Sequence, residues 1–269
     1  MKIKELEIFL KNTKYESFIG YISPVELKGY RYDNLFKMGN ENSGYFAIKI
    51  CKDDQKFVID SIENMALIDD RDDLINKYRD SIEKNGFIGL VSDWLTGSQP
   101  IDDNRELLPL FFSMLAQFNT QNVVEGPYTS MYADGNYFDT IQDLLNWEIN
   151  YHRNYIQDMA EIKNIEKLLK PLENGLSCII LEDMNPGNLF ITANGKFKMI
   201  DTEWMIRGLN LYQFEKINYF GFEENCWYNI TENSKDCYKA YFETLGIQSG
   251  EANEQIRAFE LLQVLRNKL

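Results

Sequence analysis

The chain changes character once, and sharply, at Thr96-Gly-Ser-Gln-Pro100. Before that point lie short runs rich in β-branched and aromatic residues, over 45–50, 56–60 and 87–95. The polar stretch Lys52-Asp-Asp-Gln55 separates the first two, so they read as a hairpin. A helix is expected over 3–10, where Ile3, Leu6 and Leu10 recur at helical spacing beside Phe9, and another within 63–84. After the Gly-Pro punctuation the periodicity is helical over 105–119, 138–155 and 162–172, with Gly175 as a stop, and again over 234–269. One β island, 178–201, interrupts the helices. The pattern predicts an α+β protein of two lobes. Its boundaries would be a β-rich amino-terminal lobe over 1–96 and a mainly helical carboxy-terminal lobe over 97–269. With 269 residues, both lobes can bury a core.

Charge and rare residues remove several classes of function. Lys and Arg number 28 against 42 Asp and Glu, a formal net charge of −14. Such a surface repels nucleic-acid phosphates, so no nucleic-acid partner is expected; a cationic small molecule would be drawn to it. A single histidine, His152, excludes multi-histidine metal centres and HExxH sites and argues against a triad hydrolase. Its setting, Trp147-Glu-Ile-Asn-Tyr-His152, places it on a helix surface or in lobe packing. Cys51, Cys178, Cys226 and Cys237 show no paired spacing and read as reduced, mostly buried thiols. The start, Met1-Lys-Ile-Lys-Glu5, has no apolar signal core, and the apolar stretch 107–118 is too short to span a bilayer. The expected location is the cytoplasm, with no membrane span.

The residues that carry chemistry gather between 179 and 204. Ile179-Ile-Leu-Glu-Asp183-Met-Asn-Pro-Gly-Asn188-Leu-Phe-Ile-Thr192 leads through Ala-Asn-Gly195 to Lys196-Phe-Lys-Met-Ile-Asp201-Thr-Glu-Trp204. Residues 184–187 form a tight polar loop, and 189–192 and 196–200 a hairpin. That hairpin brings Asp201, at the exit of its second strand, towards Asn188, at the entry of its first. Asp183 leads into the same loop. Two carboxylates and an amide oxygen on one small volume make a hard-oxygen set suited to Mg²⁺.

Asp-x-x-x-x-Asn, a hydrophobic hairpin and Ile-Asp-x-Glu-Trp together resemble the catalytic core of the aminoglycoside/choline kinase-like phosphotransferases, relatives of the protein kinases. The intervals, five residues from Asp183 to Asn188 and thirteen from there to Asp201, are also similar to the protein-kinase catalytic loop and metal-ligand segment. Gly89-Leu-Val-Ser-Asp-Trp-Leu-Thr-Gly97 resembles the strand and hinge that join the lobes in that family, and 105–119 the helix after it. The resemblance implies a two-lobed kinase-like fold, ATP and Mg²⁺ as cofactors, and transfer of a phosphoryl group to a hydroxyl of an amino-alcohol, aminoglycoside or sugar. In that reading Asp183 orients or deprotonates the attacking hydroxyl, and Asn188 and Asp201 bind Mg²⁺. Lys49, in Phe46-Ala-Ile-Lys49, clamps the phosphates with Glu63 as its partner, and Asp93 and Leu95 offer backbone groups to adenine.

The chain departs from the family pattern at three places. Leu181-Glu182-Asp183 stands where His-Gly-Asp is usual. Lys56-Phe-Val-Ile-Asp60 also resembles the strand that bears the family's lysine, and in that register Asp60 replaces it. The glycine-bounded loop from Gly39 to Gly44, read as the phosphate cover, lacks the residues of a P-loop. These departures keep open an alternative, a catalytically weak or inactive kinase-like nucleotide-binding module, serving surface-polysaccharide assembly in one form. Glu203 and Trp204 read either as a second metal-adjacent carboxylate or a substrate contact, or as solvent-facing or packing residues. Tyr212, Phe214, Tyr219, Phe220, Phe222, Trp227 and Tyr228, with Glu223 and Glu224, read as core or as a cage for a quaternary ammonium.

Overall fold

A computed structural model describes residues 1–27, 30–53, 55–101, 104–130, 133, 135–153, 159–184, 188–214 and 232–266. The amino-terminal lobe begins with α1 (Ile3–Leu10), whose Leu6, Phe9 and Leu10 are buried at the expected spacing. Five antiparallel strands follow: β1 (Ile22–Leu27), β2 (Tyr30–Asn40), β3 (Gly44–Lys52), β4 (Tyr78–Lys84) and β5 (Phe87–Asp93), in the spatial order β1-β2-β3-β5-β4. Side chains alternate across the sheet. Phe36, Met38, Ile48, Ile50 and Val91 face one way and pack with α1. Leu35, Ala47, Lys49 and Leu90 therefore face the other way, towards the cleft. Asn40 Oδ1 caps the β2–β3 turn by accepting from the backbone N–H groups of Asn42 and Ser43. Gly39 is obligatory there: its φ is +115°, and a Cβ would lie 2.1 Å from the Gly44 carbonyl oxygen.

Between β3 and β4 the expected second strand is a helix, α2 (Lys56–Leu67). Val58, Ser61, Asn64, Met65 and Ile68 are buried. Their spacing is that of one helix face, and packing of that face overrides the β preference of its first residues. Met65, Ile68, Leu74 and Ile75 belong to the core of the second lobe, and Met65 Sδ also accepts from the Tyr78 N–H at the start of β4.

The second lobe contains β6 (Gln99–Pro100), α3 (Leu108–Gln121), α4 (Ile141–Arg153), α5 (Met159–Leu169), β7 (Ser177–Leu181), β8 (Leu189–Ile191), β9 (Phe197–Met199), β10 (Met205–Leu209), α6 (Glu232–Leu245) and α7 (Ser249–Arg266). β8 and β9 form the expected hairpin, with β6 on its edge, and β10 pairs with β7. Helices α3 and α6 lie against each other over a buried polar cluster. There Tyr241 Oη donates to Asn119 Oδ1 at 2.7 Å and accepts from Asn210 Nδ2 at 3.1 Å, and Gln213 Nε2 donates to the same Asn119 oxygen. Tyr212 and Phe214 are core residues, Phe214 stacking on Phe112. The remaining aromatics of the suggested cage, with Glu223 and Glu224, lie outside the described residues, as does the side chain of His152. Cys51, Cys178 and Cys237 are buried free thiols; Cys226 lies outside the described residues. Among the described residues no helix is long and apolar enough to cross a membrane.

Candidate active site

The β8–β9 register, Leu189 opposite Met199, sets Asn188 opposite Ile200, whose N–H donates to the Asn188 carbonyl at 2.8 Å. Asp201 follows directly, so the backbones of Asn188 and Asp201 lie side by side. Asn188 is buried and its Nδ2 donates to the Asp183 carbonyl at 2.9 Å. That bond turns the amide so that Oδ1 is the atom available to a cation. Asp183 is half-buried at the mouth of the loop; 185–187 lie outside the described residues.

From the opposite lobe, the Lys49 ammonium reaches directly onto Asp201 Oδ1 and Glu203 Oε1. Burial alone would lower the lysine's pKa, but the two carboxylates reverse the effect and hold it well above its ordinary value. Glu203 behaves in the opposite sense. Burial, reinforced by the neighbouring Asp201 carboxylate, pushes it up to about 7 against the pull of Lys49. Its Oε2 is buried with no hydrogen-bond partner among the described residues. Trp204 stacks on Phe57 of α2, ring centroids 4.0 Å apart and planes nearly parallel.

Other expected residues land elsewhere. Glu63 is exposed on α2, because the helix turns Ser61 and Asn64 towards β10, and Lys49 takes its partners from Asp201 and Glu203 instead. Asp60 is a helix residue in direct contact with the Tyr137 hydroxyl, so the register that would set it in the lysine's place does not exist. The Gly39–Gly44 loop closes the β2–β3 hairpin beside the lobe crossing, where the Trp94 N–H donates to the Tyr45 carbonyl. Asp93 and Leu95 occupy the crossing itself. The Asp93 carbonyl accepts from Asn76 Nδ2 at 3.0 Å and its carboxylate pairs with Arg79, while the Leu95 carbonyl accepts from Ser98 Oγ.

Sequence reasoning did not find Ser61, Asn64 or Asn76. Each is a polar residue at a buried helical or loop position, and only the face it shares with buried Val58 and Met65 hints at the first two.

No protein-family model matches the sequence, nor does any curated protein at a significant level. Solved structures do. A Plasmodium vivax ethanolamine kinase superposes with a TM-score of 0.64 at 13% identity, over 97% of this chain and 79% of that one. A choline/ethanolamine kinase family protein from Mesorhizobium loti gives 0.61 at 13% identity, over 99% and 85%. A thermostable mutant of the aminoglycoside phosphotransferase APH(4)-Ia, solved with ADP and hygromycin B, gives 0.62 at 15% identity, over 97% and 89%. Identities this low speak to architecture, and the resemblance read from 179–204 holds at that level. The chain has the two-lobed, protein-kinase-like fold shared by the ethanolamine, choline and aminoglycoside kinases.

Proposed function

We propose that this protein is an ATP- and Mg²⁺-dependent phosphotransferase acting on a hydroxyl of a small molecule. The observation that carries the reading is the contact of Lys49, from the sheet lobe, with Asp201 and Glu203, from the other lobe, beside Asn188 and the loop of Asp183.

The donor set fits the metal. Asp201, Asn188 and Glu203 offer hard oxygens from neighbouring stretches of backbone, and Glu203 Oε2 is buried with no hydrogen-bond partner among the described residues. No cluster of three or more His, Cys, Asp or Glu side chains able to hold a metal occurs among the described residues. Mg²⁺ takes one or two carboxylates and completes its shell with phosphate and water oxygens. In this reading Asp201 and Asn188 would hold the ion, which when bound neutralises charge developing on the transferred phosphoryl group. Lys49 exchanges its carboxylate partners for phosphate oxygens. Asp183 orients the acceptor hydroxyl and takes its proton. Backbone groups at Asp93 and Leu95 hold the base. Positioning and charge do the catalysis, with no covalent intermediate on the protein.

The net charge of −14 favours a cationic acceptor, an amino-alcohol or aminoglycoside over a neutral sugar. The setting is the cytoplasm, where ATP is supplied and the buried thiols stay reduced. The test combines calorimetry of Mg·ATP binding with an acceptor panel of choline, ethanolamine, aminoglycosides and simple sugars. Asp183→Ala is expected to leave nucleotide affinity within a few-fold and to lower transfer by at least about 10²-fold. Equal turnover by the variant would remove Asp183 from its role. A wild type that binds Mg·ATP but phosphorylates nothing would be a nucleotide-binding module instead.

A further inference from the structure

The segment that carries Asp201 and Glu203 is clasped from outside its own lobe's sheets. Ser61, on α2, is fully buried. Its Oγ donates to the Thr202 carbonyl at 2.9 Å and accepts from the Met205 N–H at 2.9 Å. One hydroxyl thus ties together both ends of the 202–205 turn, and Thr202 and Met205 are themselves fully buried. Three residues on, Asn64 Nδ2 donates to the Met205 carbonyl at 2.9 Å, while its Oδ1 accepts from Arg207 Nε at 3.2 Å. Ser61 and Asn64 lie on one helix face, so α2 grips the turn and the start of β10 together.

That grip lies next to a strained position. Asp201 has φ +60°, a left-handed conformation that a non-glycine residue keeps only when its surroundings determine it. On the amino side the backbone is held by Met199 N–H to Leu74 O and Ile200 N–H to Asn188 O, both 2.8 Å. On the carboxy side the turn is closed by Met205 N–H to Thr202 O at 3.1 Å and tied to the end of β7 by Glu182 N–H to Trp204 O at 3.2 Å. Ser61 adds the side-chain bridge that fastens both ends of that turn to α2. Glu203 stands in the middle of the clasped turn.

The geometry points to Ser61, assisted by Asn64, as the positioning residue that sets Asp201 and Glu203 for the metal and for Lys49. α2 would thereby act on the site through the backbone of 202–205 rather than through a carboxylate aimed at Lys49. This rests on the phosphotransferase reading for its ligand, not for its geometry.

The experiment uses the full chain as wild type, Ser61→Ala, Asn64→Ala and Val58→Ala. Val58 is fully buried on the same helix and makes no bond to the turn, so its variant measures lost packing alone. The first readout is the Mg²⁺ concentration that half-saturates ATP binding, beside ATP affinity in EDTA. Ser61→Ala is expected to raise the Mg²⁺ requirement by about 10-fold or more, the usual scale for losing support behind a metal ligand, with metal-free ATP affinity little changed. Asn64→Ala should shift it in the same direction by less, and Val58→Ala not at all. The second readout is amide exchange without ligand, where Met205 should exchange at least about 10-fold faster in Ser61→Ala than in Val58→Ala.

An unchanged Mg²⁺ requirement in a folded Ser61→Ala overturns the proposal, as does an equal shift in Val58→Ala. If Ser61→Ala does not fold, the Mg²⁺ requirement of Asn64→Ala decides in the same way. If the wild type binds no Mg·ATP, the phosphotransferase reading falls. The positioning claim is then judged on Met205 exchange, where protection equal to that of Val58→Ala overturns it.

Discussion

At φ +60°, Asp201 combines a costly backbone with a charge that Lys49 meets from the other lobe. Asparagine tolerates the left-handed region about as well as aspartate, so Asp201→Asn changes charge while leaving the turn as it is. The variant is expected to lose Mg²⁺-dependent ATP binding and to keep the wild-type circular dichroism; calorimetry with and without Mg²⁺ reads the first. Glu203 gives a second residue-scale prediction, from acid–base linkage. Its pKa rises from 4.5 to about 7 on folding, so between those values the native state binds more protons than the unfolded chain. Without ligand, this residue's contribution to stability is fully present below about pH 4.5, declines as pH rises through the window, and is lost above about 7. Urea unfolding of wild type and Glu203→Gln across pH 4–8 should show the variant lacking that decline. Parallel curves would refute the burial of an ionising carboxylate at this position.

At the scale of elements, the helix α2 shows where local reading stops. Lys56-Phe-Val-Ile-Asp60 is β-rich, and its first residues match a strand as well as a helix. The choice is made further along, where burial at Ser61, Met65 and Ile68 continues the spacing begun at Val58. The other elements gave stronger local signals. α1, α3, β5 and the β8–β9 hairpin lie where periodicity and turn residues place them, within a few residues at their ends. The polar cluster between α3 and α6 had no such signal, because Asn119 and Tyr241 meet across 122 positions of chain. Tyr241→Phe removes a donor to Asn119 and an acceptor for Asn210. It should cost about 1–3 kcal/mol in chemical unfolding, the penalty of buried polar groups left unmatched. Mg·ATP affinity should not change, since the cluster lies in the helical lobe's core.

Across the whole molecule, the lobes are joined by more than the crossing at Trp94. Met65, Ile68, Leu74 and Ile75 belong by chain position to the first lobe and by packing to the second. The backbone of 74–76 also bonds to Met199 on β9. A fragment of residues 1–96 would expose that apolar surface to water, so it should not fold cooperatively by itself; heteronuclear spectra of the isolated fragment are expected to show poor dispersion. For the intact chain, saturating Mg·ATP at about 100 times its dissociation constant should stabilise the protein by about 2.7 kcal/mol, and ATP in EDTA by much less. The sequence by itself determined the two-lobed α+β plan, the hairpin and the meeting of Asn188 with Asp201. Those depend on periodicity and turn chemistry, which act over a few residues. Only the tertiary structure decided that Lys49 is met by Asp201 and Glu203 rather than Glu63, and that Ser61 holds the turn between them and β10. Such partners lie some 140 to 154 positions apart, and which face of α2 meets β10 is a result of burying apolar area between lobes. No short stretch of sequence contains that information.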